Sequence, residues 1–202
     1  MPSAHHPFAQ RAARRSHRAI ALALAVLALL AIAPAASAAD TTTLSPDQVS
    51  PEAYYMRLLN CSRTGGYVNA DGSCAGYGSG RFSPYVAPLK YNWGLTTYVS
   101  RPYAKLLSVK GKCDHFLDGD PGDRMRRAGY HPSWWGENIG CRDGSTNVYS
   151  SILASHRAFQ AEKATNGGHW RNIKNSKFLY VGVGIYRYSS RVRLVVDFYR
   201  PA

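Results

Sequence analysis

The sequence predicts an α+β domain, and three observations predict it. Val148, Ile152, Ser155 and Phe159 fall at i, i+4, i+7 and i+11, one stripe of a helix. Leu179, Val181, Val183 and Ile185, then Val192, Leu194, Val196 and Phe198, alternate with other residues at period two. Ser189-Ser190 separates the two runs, which makes them an antiparallel hairpin. Helices early and a hairpin last place helices on a small sheet.

The elements follow in order. Ser50-Pro51-Glu52 is a helix start, with Ser as N-cap, Pro in the first turn and an acid beside it. Tyr55, Leu58, Leu59 and Ser62 continue it, and Gly65-Gly66 ends it. Residues 64–85 are glycine-rich and read as a long loop, which a compact domain has to tie down. A second helical region runs from about Leu95 to Lys110, with Leu95, Val99, Tyr103, Leu106 and Leu107 on one face. Pro102 lies inside it, so the helix either kinks there or restarts with Ser100 as cap. Asp120-Pro121-Gly122-Asp123 is another start, followed by Arg124, Arg126 and Arg127. The third strong helix spans about Thr146 to Ala164, carries Glu162 on its stripe, and stops at Asn166-Gly167-Gly168.

The N-terminus reads differently. Arg11, Arg14, Arg15 and Arg18 precede an apolar run from Ala19 to Ala33, and Ala36-Ser37-Ala38 follows. A basic segment, an apolar segment and a small-residue site make a signal peptide, residues 1–38. The apolar run is short for the ~30 Å of a bilayer core, which disfavours an uncleaved anchor. A tail, 39–50, and the domain, 51–202, remain, and the expected location is secreted and extracellular.

The chain of 202 residues carries a formal charge of +13, part of which leaves with the signal peptide. At 45% hydrophobic and 18% charged, with 18 Gly and 11 Pro, it is neither disordered throughout, a multi-pass membrane protein nor a coiled coil. The basic surplus is spread along the chain, and Arg124, Arg126 and Arg127 read as a solvated helix face. Nucleic acid is therefore not an expected partner. Cys61, Cys74, Cys113 and Cys141 read as two disulfides, Cys61–Cys74 and Cys113–Cys141, the first pair flanking the front half of the glycine-rich loop.

Beyond residue 38 the chain has four histidines, His115, His131, His156 and His169, and three glutamates, Glu52, Glu137 and Glu162. His115 follows Cys113 by two residues, and Glu137 precedes Cys141 by four, so a bridge between those cysteines draws them together. His131 and His156 read as surface residues.

Gly136-Glu137-Asn138-Ile139 and Gly168-His169-Trp170 are similar to two signature motifs of the CAP superfamily, the SCP/TAPS domain. Asn60 and Arg63 resemble its N-x-x-R element, and Pro88-Leu89-Lys90-Tyr91 resembles the approach to its second helix. Val181-Gly182-Val183-Gly184 and Asp197-Phe198 resemble its closing strands. The likeness covers about Glu52 to Tyr199. It implies an α–β–α sandwich with a central antiparallel sheet, and a cleft of two His and two Glu: His115, Glu137, Glu162 and His169. Phe159 stands where the family usually has Trp. Arg171-Asn172-Ile173 resembles the bacterial branch, and the second animal signature is missing, so venom-type and sperm-protein roles are not transferred.

Two imidazoles and a carboxylate can hold a divalent metal, and His₂Glu plus water is an open zinc set. His115, His169 and Glu137 are the expected ligands, zinc the expected ion. The expected role is an extracellular binding or interaction module for a lipid, glycan or protein. A metal-dependent hydrolase of peptide or cell-wall substrate, with Glu137 and Glu162 as catalytic carboxylates, is the alternative. A third reading is a mutually satisfied cluster that serves the fold. Trp134, Trp135 and Trp170 neighbour the site and offer aromatic faces to a ligand.

Overall fold

The computed structural model describes residues 49–202; the expected signal peptide and most of the tail lie outside the described residues. Helix α1 (Pro51–Arg63) starts with Ser50 Oγ accepting the Ala53 N–H at 3.2 Å, and Tyr55, Leu58 and Leu59 are buried along it. Asn60 and Arg63 serve the frame. The Asn60 side chain bonds both backbone groups of Leu89. Buried Arg63 donates to the carbonyls of Ala87, Ile173, Asn175 and Phe178, so one guanidinium stitches three segments together.

The glycine-rich loop carries a two-residue ladder, β1 (Tyr67–Val68) with β2 (Cys74–Ala75), and the Cys61–Cys74 bridge ties it to α1. Next come β3 (Lys90–Tyr91), a helical turn at Trp93–Leu95, a π-helical turn at Thr96–Ser100, and α2 (Arg101–Lys110). The α-helical ladder restarts at Arg101, as one of the two options at Pro102 has it, but without a side-chain cap. Ser100 stays helical and its side chain caps nothing. The π turn absorbs the irregularity, Pro102 sits in the first turn of α2, where a missing N–H costs little, and the Ser100 hydroxyl donates to Asp197 Oδ2 at 2.7 Å.

Helix α3 (Pro121–Arg127) is capped by Asp120, whose Oδ1 accepts from the Gly122 N–H. Strand β4 (Pro132–Arg142) has no period-two apolar alternation and escapes a sequence reading. Helix α4 (Val148–Ala161) is capped by Asn147 and runs into a 3₁₀ turn, Glu162–Thr165, which left-handed Asn166 ends. Helix α5 (Gly168–Lys174) and the hairpin β5 (Tyr180–Tyr188) and β6 (Arg191–Pro201) complete the chain.

The main sheet has the order β3-β5-β6-β4, antiparallel except for the short parallel pairing of β3 with β5. Helices α1, α4 and α5 bury one face against Val181, Val183, Leu194, Val196 and Phe198. Helix α2 covers the other, against Ile139 and Val195. The result is an α–β–α sandwich. Both faces of β6 are therefore inside, and its polar alternates Arg193 and Asp197 are buried under the α2 layer rather than solvated. Gly182 and Gly184 make that closeness feasible: a Cβ on Gly184 would lie 2.1 Å from the Ser100 carbonyl. His156, expected at the surface, is fully buried instead. Its Nε2 lies 2.9 Å from Ser62 Oγ, which donates in turn to Gln160 Oε1.

Candidate functional site

Strand β4 is an edge strand, and the two helical layers meet across that edge. From the α2 side comes His115, in the connection between α2 and α3, which the Cys113–Cys141 bridge fastens to β4. From the other side come Glu162, in the 3₁₀ turn after α4, and His169, in the first turn of α5. Side-chain amides fix the junction. Asn172 Nδ2 donates to the Glu137 carbonyl at 3.1 Å and to Asn138 Oδ1 at 2.9 Å, and Asn138 Nδ2 donates to the His169 carbonyl at 3.1 Å.

Each imidazole is held by its own carboxylate. His115 Nδ1 lies 2.7 Å from Glu137 Oε1, and His169 Nδ1 lies 2.5 Å from Glu162 Oε1. A ring that donates from Nδ1 keeps its free lone pair on Nε2. Phe159 stacks on His169 at 4.3 Å between centroids, which helps to orient this ring. Gly167 is needed beside Glu162, because a Cβ there would lie 2.5 Å from Oε2. Burial pushes the Glu162 carboxyl up, but hydrogen bonds from the His169 ring, the attraction of that ring, and the backbone N–H groups of His169 and Trp170 outweigh it. The net pKa lies below the usual value.

All four expected residues line one cleft of about 580 Å³, with Thr165, Gly167, Gly168, Arg171 and Asn172. Every lining residue is polar or glycine. Glu137, expected as a third ligand, is positioned otherwise. Its side chain is 1% exposed, Oε1 faces His115, and Oε2 accepts from Arg124 at 2.5 Å. It stands behind His115 and orients it. No group of three His, Cys, Asp or Glu that could hold a metal forms among the described residues.

Arg124 was hidden in the sequence by its neighbours. Arg126 and Arg127 are exposed, as a solvated face requires, whereas Arg124 turns inward, donates to the carbonyls of His115 and Gly119, and stacks over the Tyr103 ring at 3.5 Å. Asp197 is a second residue of this kind. It pairs with Glu137 across the β4–β6 ladder. Burial and the nearby Glu137 charge push its carboxyl well above the usual range. Of the three tryptophans, Trp170 packs in the core, while Trp134 and Trp135 are exposed on β4 and do not line the cleft.

An α–β–α sandwich with a two-histidine, two-glutamate cleft at its sheet edge is the CAP, or SCP, fold. One solved structure shares this fold. NaASP2, determined with Zn²⁺, superposes with a TM-score of 0.50 at 15% identity, over 73% of this chain and 78% of that one. Schistosoma mansoni venom allergen-like protein 4 gives 0.49 at 12% identity, over 76% of this chain and 90% of that one. An extracellular SCP-domain protein from Bacillus anthracis gives 0.44 at 21% identity over 57% of this chain, an overlap that spans 34% of the Bacillus protein. No family model and no curated protein matches the chain.

Proposed function

We propose that this protein is a secreted CAP-fold binding module whose cleft takes a divalent cation, zinc first, on His115 Nε2 and His169 Nε2. The observation that carries this reading is that a carboxylate occupies Nδ1 of both rings. That is the outer-shell arrangement of zinc-bound histidine. With two protein ligands, water or a ligand atom would complete the set, and a bound cation would polarise such an atom. The likeness to NaASP2, determined with Zn²⁺, supports the choice of ion. The polar lining favours a glycan or a polar protein segment over a lipid as the cleft's ligand. Two disulfides and the N-terminal signal pattern support export. Among the described residues no helix is long and apolar enough to cross a membrane.

Both glutamates already accept from protein donors through each oxygen, which favours binding over the hydrolase reading. Calorimetric titration with zinc tests the proposal. One ion per chain is expected, lost in His115→Ala and in His169→Ala and kept in His131→Ala. Absence of zinc binding by the unaltered protein, or binding that survives both cleft substitutions, refutes it. Hydrolysis of a peptide or glycan panel that chelator abolishes would revive the enzyme.

A further inference from the structure

A second cavity, of about 520 Å³, lies between the π-helical turn with α2 on one side and α3 on the other. That is the size of a small-molecule site. Val99, Pro102 and Leu106 give it an apolar wall, and Tyr98 and Tyr103 add aromatic surface. Its other wall is charged. Arg127 pairs there with Asp118 at 2.9 Å, both half exposed, and such a pair is held weakly enough to yield to a competing anion. Arg124 lies deeper in the same wall. Its terminal nitrogens are engaged, but its buried Nε–H finds no acceptor among the described residues.

Arg124 also partitions the two cavities. It lines this one, while its Nη2 holds the Glu137 carboxylate and one Nη1 contact holds the His115 carbonyl. Glu137 and His115 line the cleft. A charge brought to one side of this guanidinium changes what the other side feels.

We propose that this cavity binds a small amphiphilic anion, its apolar or aryl body against Val99, Pro102 and Leu106 and its carboxylate toward Arg127 and Arg124. Occupancy is transmitted through Arg124 to the His115 ring. The apolar wall selects the body, and the half-exposed Arg127 guanidinium, with the Arg124 charge behind it, selects the head. The proposal does not depend on cation binding in the cleft.

Phenylbutyrate and phenylbutanol, which share a body and differ in charge, are the probes. The protein expressed from its full chain is titrated with each, by calorimetry and by NMR of the histidine rings, with acetate as the control anion. Phenylbutyrate is expected to saturate one site and shift the His115 ring signals, while phenylbutanol binds about tenfold more weakly, the value of one charge-assisted hydrogen bond. Arg127→Gln, a surface change, weakens phenylbutyrate by a similar factor and leaves phenylbutanol unchanged. Leu106→Trp fills the cavity and abolishes both. Equal binding of acid and alcohol, an unaltered affinity in Arg127→Gln, or saturation that leaves His115 unmoved overturns the proposal. So does acetate that shifts His115 as far as phenylbutyrate does, which would make the effect one of a general basic surface.

Discussion

His169 meets Glu162 twice: its ring Nδ1 lies 2.5 Å from Oε1, and its backbone N–H donates to Oε2 at 2.9 Å. One carboxylate thus fixes both the position and the tautomer of the ring. Because the folded pKa of Glu162 is depressed, its stabilisation is present above the unfolded value and disappears as pH falls through the folded one. Glu162→Gln is expected to cost about 1 kcal/mol or less at pH 7, since the pair is partly exposed. Thermal melts of the two proteins should converge in acid, and a gap that persists there would show that the charge is not what holds the ring.

Arg124 and Glu137 form a buried pair, with side chains 4% and 1% exposed. Arg124→Met leaves the Glu137 carboxylate without its cation and is expected to cost about 3–5 kcal/mol in urea denaturation. Arg127→Gln, three residues away and exposed, should change stability by less than about 0.5 kcal/mol. Equal effects would mean that Arg124 is solvated.

His156 is buried and neutral, and burial pushes its pKa down to about 3. The unfolded ring takes up its proton near pH 6.5, which the folded ring does not, so stability falls as pH falls below that value. Between pH 7 and pH 5 the lead of the wild type over His156→Asn should shrink by about 2 kcal/mol. A constant lead would sink the assignment of a neutral buried ring.

Asp197 behaves in the opposite sense. Its raised pKa keeps a proton on the folded carboxyl where the unfolded one has lost it, so its contribution is largest in acid and is lost as pH rises. Among the described residues the Oδ1 atom has no hydrogen-bond partner, and the neighbouring Glu137 charge favours a proton on this carboxyl. Asp197→Asn should therefore fold, and gain on the wild type as pH climbs. A widening deficit at alkaline pH would contradict a protonated Asp197.

Gly184→Ala puts a methyl group 2.1 Å from backbone atoms of Ser100, which have no rotamer to yield. A loss of about 3 kcal/mol or misfolding is expected. Gly168→Ala meets nothing within 4 Å and should be tolerated, which circular dichroism and melting of both variants will check.

Much of the frame was legible because its signals are local. Ser50 and Asp120 cap the helices that their types announce, the apolar stripe of α4 and the alternation of the hairpin are present in three dimensions, and both disulfides join the expected cysteines. Strand β4 was not legible, since an edge strand that carries Glu137 and Asn138 for the cleft has no apolar period to display. His156 misled because a helical wheel shows one buried stripe, while α4 also packs on Ser62, 94 residues distant in sequence. Arg124 misled because its burial depends on Tyr103 and Glu137, which arrive from other elements.

By itself the sequence determined which residues start and stop helices, where the hairpin lies, and which four side chains belong to a His/Glu set. The helix ends and the hairpin are written in short-range spacing and residue chemistry, while the His/Glu set rests on the likeness of its motifs to those of the CAP superfamily. The tertiary structure alone decided that Glu137 stands behind His115 rather than beside it, that Arg124 faces inward, and that a second cavity abuts the same guanidinium. The reason is physical: a side chain's role depends on what surrounds it after burial, and the partners that settle it come from segments far apart along the chain.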